Sequence, residues 1–269
     1  MDIVKRNFFR LLKAGAFHRT EVVEPMSAWK WRKVYELALL HGVETLAFQG
    51  VKRLEGQFFF NLPDALRQQW AAGQNVAQED YEIGNRQLAK RLKRLEEETG
   101  GSDSYKVLKA SVAVALCLMS ADRWVYHLVR LGQIVEQAGD RVDRGQLKQW
   151  AAQLRLQHME QLEGALLVEL LGQEAGRWPF DLNIDERQRK QMAEEVGATL
   201  AATRHQWSFS TAQSSNDGQV QHTIFVHNSN SSAMFWQARH SARYLKYYPT
   251  MSISTFFNSL AQSLTNIEE

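Results

Sequence analysis

The chain has 269 residues, of which 44% are apolar and 23% are charged, and its formal net charge is +2. These proportions are those of an ordinary globular protein, and so small a net charge argues against a surface that attracts nucleic acid or membrane everywhere. The single cysteine, Cys117, excludes an internal disulfide and fits a reducing compartment.

The N-terminal segment MDIVKRNFFRLLKAG interrupts its apolar pattern with acidic and basic residues. A signal peptide needs an uninterrupted apolar stretch, so none is predicted. The most apolar run, residues 107–119, contains Lys109 and spans 13 residues, whereas a membrane-crossing helix needs about 20. We therefore expect a cytoplasmic protein without a membrane partner.

The first sixty residues contain the start and end signals of three amphipathic helices. Asp2 is placed to cap the first helix, and Gly15 is placed to end it. Ser27 marks the start of the second helix. Apolar residues at helical spacing then fill 43–54, and Gly56 follows them, which predicts a third helix that ends there.

The longest periodic pattern runs from Pro63 to Glu98. Its apolar residues advance by steps of three and four, and Gly73 and Gly84 lie on the same stripe. Such a rhythm predicts one nearly straight helix of roughly 50 Å. The alternative is two helices with a break between them.

The rest of the chain predicts further helices and one polar segment. The helices are expected at about 103–119, 121–138, 143–154, 157–171, 184–204, 233–247 and 254–264. Ser120 is the expected cap of the second of these. The Ser-, Asn- and Gln-rich residues 206–231 predict a long loop with a short hairpin.

These patterns together predict an all-α protein, a multi-helix bundle of about ten helices. We expect one helical domain over 1–269. Two sub-lobes, 1–99 and 103–269, are an alternative division, with Gly100–Gly101 as the joint between them.

The joint itself, in EEETGGSDSYKVL, invites a comparison with phosphate-binding loops. Glycine-rich turns before a helix bind phosphate through bare backbone N–H groups. The sequence lacks the lysine and the spacing of a P-loop, however. Gly100 is better placed to end one helix, and Ser102 or Asp103 to cap the next, which predicts a simple connection.

Four segments share the order and apolar spacing of helices in a known family. They are FFRLLKAGAF, WRKVYELALLHGVETLAFQGVKRL, VYHLVRLGQIVEQAGDRVDRGQLKQWAAQLRLQHMEQLEGALLVELLG and RYLKYYP. They resemble the helical parts of an uncharacterised nucleotidyltransferase family common in Bacteroidetes. That resemblance implies a mixed α/β catalytic core, in which an Asp-x-Asp pair after a Gly-Ser or Gly-Gly holds Mg²⁺ against a nucleoside triphosphate.

This chain departs from the family pattern where the core is expected. The segment YKVLKASVAVALCLM follows Gly100–Gly101 without an acidic pair. We therefore expect a non-catalytic relative with an interaction or scaffold role, an unknown protein partner, and neither a metal nor a cofactor. The alternative is a divergent metal-dependent nucleotidyltransferase that uses Asp122, Asp140 and Asp143.

A basic helix is predicted within FWQARHSARYLKYYP. Arg239, Arg243 and Lys246 fall at i, i+4 and i+7 and so share one face, with His240 alongside. Clustered cations with aromatic neighbours suit phosphates, nucleic acid or an acidic protein, so these four residues form the predicted binding set, with a polyanion as the alternative partner. A solvated helix face gives the same pattern.

Overall fold

A computed structural model of the protein describes residues 1–73, 83, 85–201, 239–240 and 242–247. These residues form ten α-helices over 3–197, further helical residues at 239–240 and 242–244, and no strand, which confirms the predicted all-α class. None of the described helices combines the length and apolar character that crossing a bilayer requires.

In chain order, the ten helices are α1 Ile3–Phe17, α2 Ala28–Leu40, α3 Glu44–Leu54, α4 Asp64–Ala72, α5 Arg86–Thr99, α6 Asp103–Ser120, α7 Trp124–Ala138, α8 Arg144–Leu154, α9 Gln157–Leu171 and α10 Glu186–Gly197. Two 3₁₀ turns lie at Gly139–Arg141 and Ala175–Arg177.

Polar side chains begin several helices where the sequence predicts them. Asp2, Ser27 and Asp143 each accept a hydrogen bond from the backbone N–H three residues further on. Each bond satisfies one of the N–H groups that a helix start leaves without an intrahelical acceptor. The predicted starts of α1, α2 and α8 are thereby confirmed.

The Gly-Gly segment is a connection between two helices, as predicted. Gly100 has a φ of 60°, in the left-handed region that favours glycine, and it ends α5. Ser102 then accepts a hydrogen bond from the Tyr105 backbone N–H at 3.3 Å and opens α6.

Three predicted boundaries are wrong. Gly15 does not end α1, because the helix continues to Phe17 and His18 takes the left-handed conformation after it. Ser120 does not cap α7, because it is the last residue of α6. The helix expected over 184–204 ends earlier, at Gly197.

The single 50 Å helix predicted over 63–98 is also wrong. The α4 helix ends at Ala72, and a new helix begins after Asn85, whose side-chain oxygen accepts from the backbone N–H groups of Gln87 and Leu88. The alternative of two helices is the observed one. The loop and hairpin predicted over 206–231 and the helix over 254–264 lie outside the described residues.

The α1 and α3 helices cross in close contact. A Cβ atom on Gly15 would lie 1.9 Å from the Leu46 carbonyl oxygen, and one on Gly50 would lie 2.0 Å from the Leu11 carbonyl oxygen. The two backbones therefore touch through surfaces that carry no side chain. The other sides of α1 contact α2, α7 and α9, so α1 lies inside the continuous apolar core.

We predict that Gly15→Ala and Gly50→Ala each lower the free energy of unfolding by about 3 kcal/mol or more. A methyl group there must displace backbone atoms rather than a flexible side chain, and this outweighs the gain of about 1 kcal/mol in helix propensity. Denaturant titration measures the difference. Gly56→Ala is the matched control, because no atom lies within 4 Å of its added Cβ; equal losses at all three sites would contradict the proposed crossing.

Candidate functional site

The carboxylates of the predicted alternative enzyme site do not meet. Asp122 lies just before α7 and Asp140 just after it. The 15 residues of α7 form a helix about 22 Å long, so the two carboxylates lie at its opposite ends. Asp143 is occupied as the cap of α8. Within the described ranges, no group of three or more His, Cys, Asp or Glu side chains is arranged to hold a metal ion.

Three of the four residues predicted on the basic helix carry solvent-accessible charge. Arg239 is exposed and Arg243 is half-buried. Lys246 places Nζ 3.2 Å from Glu195 Oε2 of α10 and 4.8 Å from the centre of the Tyr247 ring. The binding role of these three cations stays a prediction, and for Lys246 an anionic ligand would have to compete with Glu195.

His240, the fourth predicted residue, is directed into the protein. Its Nε2 lies 2.8 Å from the Leu118 carbonyl oxygen, and burial lowers the pKa of the imidazole to about 4. A neutral ring that faces a carbonyl must donate its N–H there. His240 therefore fastens this helix to α6, and it lies apart from the exposed cations.

Four exposed apolar side chains, here called the aromatic tip, lie near the start of α2 and the end of α3. Phe58 is 93% exposed, Val22 72%, Trp29 64% and Phe59 61%. Single exposed apolar residues are ordinary on a protein surface, but several large ones near each other mark interaction sites. The aromatic tip is thus the strongest candidate for a functional surface among the described residues.

The loop that carries the tip is held by one amide side chain. Gln57 donates from Nε2 to the Glu21 carbonyl oxygen at 2.5 Å and accepts from the Val23 backbone N–H at 3.0 Å. These bonds join the loop after α3 to the loop before α2. Phe58 and Phe59 then project beyond this point and meet edge to face, with ring centres 4.9 Å apart.

The next residues of the loop pack against α2. The Phe60 ring packs on Trp31 with ring centres 4.9 Å apart, and the Trp31 indole N–H donates to Asn61 Oδ1 at 3.2 Å. Since both flanks of the Phe58–Phe59 pair are fixed, the exposure of the pair is a property of an ordered loop.

The surroundings of the tip carry positive charge. Arg32, Lys52 and Arg53 are exposed. Of the acids on the adjoining segments, Glu36 pairs with Lys33 at 2.6 Å and Glu55 pairs with Arg67, while Asp64 is exposed at the start of α4. Sequence reasoning missed this surface, although QFFFN after Gly56 offered a signal: three aromatic residues in a row outside any helical stripe.

A second feature missed from the sequence is a pair of buried acids on α9. Burial raises the pKa of Glu160 to about 8, and it raises the pKa of Glu163 well above its usual range. The Ser111 hydroxyl donates to Glu163 Oε2, while Oε1 of each carboxyl is buried without a hydrogen-bond partner. Both groups are therefore neutral acids within the core at neutral pH.

A third buried polar centre ties α2 to the end of α10. The His41 Nε2 lies 2.9 Å from the Leu200 carbonyl oxygen, and its ring packs edge-on against Trp124 with centres 5.5 Å apart. Burial lowers the pKa of His41 to about 4. Like His240, this histidine is a neutral donor to a backbone carbonyl, and its geometry indicates a structural role.

We predict that Glu160→Gln makes the protein more stable at pH 8 and flattens the dependence of its stability on pH. The folded state keeps a proton on Glu160 that the unfolded chain releases above about pH 4.5, so the free energy of unfolding falls as pH rises from there towards 8. One such proton changes it by up to about 1.4 kcal/mol per pH unit.

Denaturant titrations at several pH values measure this slope. Glu97→Gln, a change to an exposed carboxyl of α5, is the control and should leave the profile unaltered. Identical profiles for the native protein and Glu160→Gln would contradict a protonated Glu160.

For the basic helix, we predict that replacing Arg239, Arg243 and Lys246 together by Ala weakens binding to heparin. Each lost cation should reduce the slope of log affinity against log salt by about one. The control replaces three exposed cations of α5, Arg86, Lys90 and Arg94. Heparin binding that the first variant retains at every salt concentration would exclude this helix.

No protein-family model, curated protein or solved structure matches this chain. The basis for a functional proposal is therefore the chemistry of the described side chains together with the resemblance seen in the sequence.

Proposed function

We propose that this protein is a nucleotidyltransferase-like helical protein with an interaction role, and that it docks a partner protein through the aromatic tip. The observation that carries the proposal is the 93% exposure of Phe58 on a loop whose two ends are fixed. An ordered loop that holds two phenylalanines in water costs solvation free energy in the isolated chain. A partner that covers them recovers it.

The free energy gained by covering the two phenylalanines supports a binding role. Burying one phenylalanine side chain contributes about 1.5–3 kcal/mol. At exposures of 93% and 61%, Phe58 and Phe59 together therefore supply about 2–5 kcal/mol, and aromatic anchors of this kind dominate the affinity of many protein interfaces. Val22 lies in the segment that Gln57 holds beside them, and its side chain is 72% exposed.

The charges around the tip define the chemistry of the partner. Arg32 on α2 and Lys52 and Arg53 on α3 are exposed, whereas Glu36 and Glu55 are already paired. The complementary surface is an apolar pocket with an acidic rim. Charges on such a rim mainly increase the rate of association and exclude wrong partners.

The alternative function, a divergent enzyme, would use carboxylates away from the aromatic tip. A divergent nucleotidyltransferase would need Asp122 and Asp140 to approach one metal, yet α7 holds them about 22 Å apart. The aromatic tip needs no rearrangement to present its side chains, and this difference favours the interaction role.

We predict that the double change Phe58→Ser with Phe59→Ser abolishes specific partner capture without lowering the melting temperature. Both rings are exposed, so their removal takes little from the core. The measurement compares proteins captured by the native chain and by the variant, followed by a direct affinity titration with any protein that differs.

The matched control is Leu39→Ser. Leu39 is also an exposed large apolar residue, 44% accessible, but it lies at the opposite end of α2. Partners that bind the native protein and this control, but not the double variant, support the proposal. A captured protein that binds all three with equal affinity contradicts it.

A further inference from the structure

A cleft of about 510 Å³ lies between α5, α6 and α7. This volume is in the range of small-molecule sites. Its floor is made of small and apolar side chains, Ala110, Ala113 and Ile134. Its rim carries three cations, Lys106 and Lys109 from α6 and Arg130 from α7, and one carboxylate, Glu96 from α5. An apolar floor below a cationic rim is the pattern of a site for an organic anion.

Lys106 can leave its present partner at small cost. Its Nζ lies 2.9 Å from Asp103 Oδ1, and the other oxygen of that carboxylate accepts from Arg141 Nε at 2.6 Å. If Lys106 turns to a ligand, Asp103 still keeps an ion pair. An exposed pair of this kind contributes only about 0.2–1 kcal/mol.

Lys109 can likewise leave its partner, Glu96, at small cost. Its Nζ lies 3.9 Å from Glu96 Oε1, whereas Glu96 Oε2 accepts the Tyr105 hydroxyl at 3.2 Å. Glu96 therefore also retains a partner when its lysine moves. The two lysines are one helical turn apart on α6, so both ammonium groups can reach one anionic group.

The opposite side of the cleft offers groups that can orient a ligand. Arg130 is positioned by the Tyr126 hydroxyl, which lies 3.1 Å from one of its amino groups. Gln133 and Gln137 follow along the same face of α7. From Lys106 to Ala113 the cleft extends over seven helical steps, or about 10 Å.

We propose that this cleft binds an organic anion with an apolar body. A phosphate or carboxylate group takes the place of Asp103 and Glu96 at Lys106 and Lys109, and the body lies on Ala110, Ala113 and Ile134. This site is on different helices from the aromatic tip and does not rest on the function proposed for the tip.

Calorimetric titration with four probes tests the proposal. Hexyl phosphate and hexanoate carry both halves of the ligand, and the tighter of them identifies the head group. Inorganic phosphate lacks the body, and 1-hexanol lacks the charge, so each should bind at least roughly tenfold more weakly than the better amphiphile. Phosphate binding as tightly as hexyl phosphate would overturn the role of the apolar floor.

Replacing Lys106 and Lys109 together by Ala should weaken binding of the better probe by roughly tenfold or more. The matched control replaces Lys148 and Lys190, which are exposed lysines that also pair with single acids, Asp181 and Glu186. Circular dichroism establishes that each variant is folded. Equal affinity of the native protein and the Lys106–Lys109 variant, or equal loss in the control, would overturn the proposal.

Discussion

The carbonyl oxygens of Leu46 and Leu11 fill the places where Gly15 and Gly50 would carry side chains. This contact brings the axes of α1 and α3 closer than helices with side chains at those positions could come, because at least one layer of side chains normally separates them. The position of the α2–α3 pair follows from it, and so does the position of the loops at the start of α2 and the end of α3. The remaining sides of α1 contact α7 and α9, so the second half of the chain is arranged around the same helix.

The helices of this protein are specified by interactions between residues close together in the sequence, so they could be predicted from the sequence. Caps at Asp2, Ser27 and Asp143, and the glycines at Gly100 and Gly172, act on backbone groups within a few residues of themselves. Such interactions need no knowledge of the rest of the fold. The all-α class and the order of the helices follow from these signals together with the apolar stripes.

The errors have a common origin in packing between distant residues. Gly15 looks like a helix end in the sequence, but its missing side chain serves the contact with Leu46. In the turn between α6 and α7, Ala121 and Arg123 have positive φ, a conformation that glycine usually adopts. The sequence carries no local sign of either outcome, because in each case tertiary structure overrides residue preference.

The candidate sites likewise include features set within one helix and features set by packing between distant helices. Alignment of Arg239, Arg243 and Lys246 is a property of one helix and could be predicted, whereas the burial of His240 depends on the Leu118 carbonyl of a distant helix. The neutral acids Glu160 and Glu163 occupy positions where an amphipathic pattern places apolar residues, and only the surrounding helices show why they are protonated. The cleft likewise requires α5, α6 and α7 together.

For the docking proposed above, the two hydrogen bonds of Gln57 have a consequence for the kinetics of association. They hold the loop in one shape before any partner arrives, so little conformational entropy remains to be lost when Phe58 and Phe59 are covered. Preorganisation of this kind lengthens the lifetime of a complex more than it speeds encounter, since related complexes differ mainly in their dissociation rates. Loss of the Gln57 amide would leave both phenylalanines in place and still shorten the residence time of a bound partner.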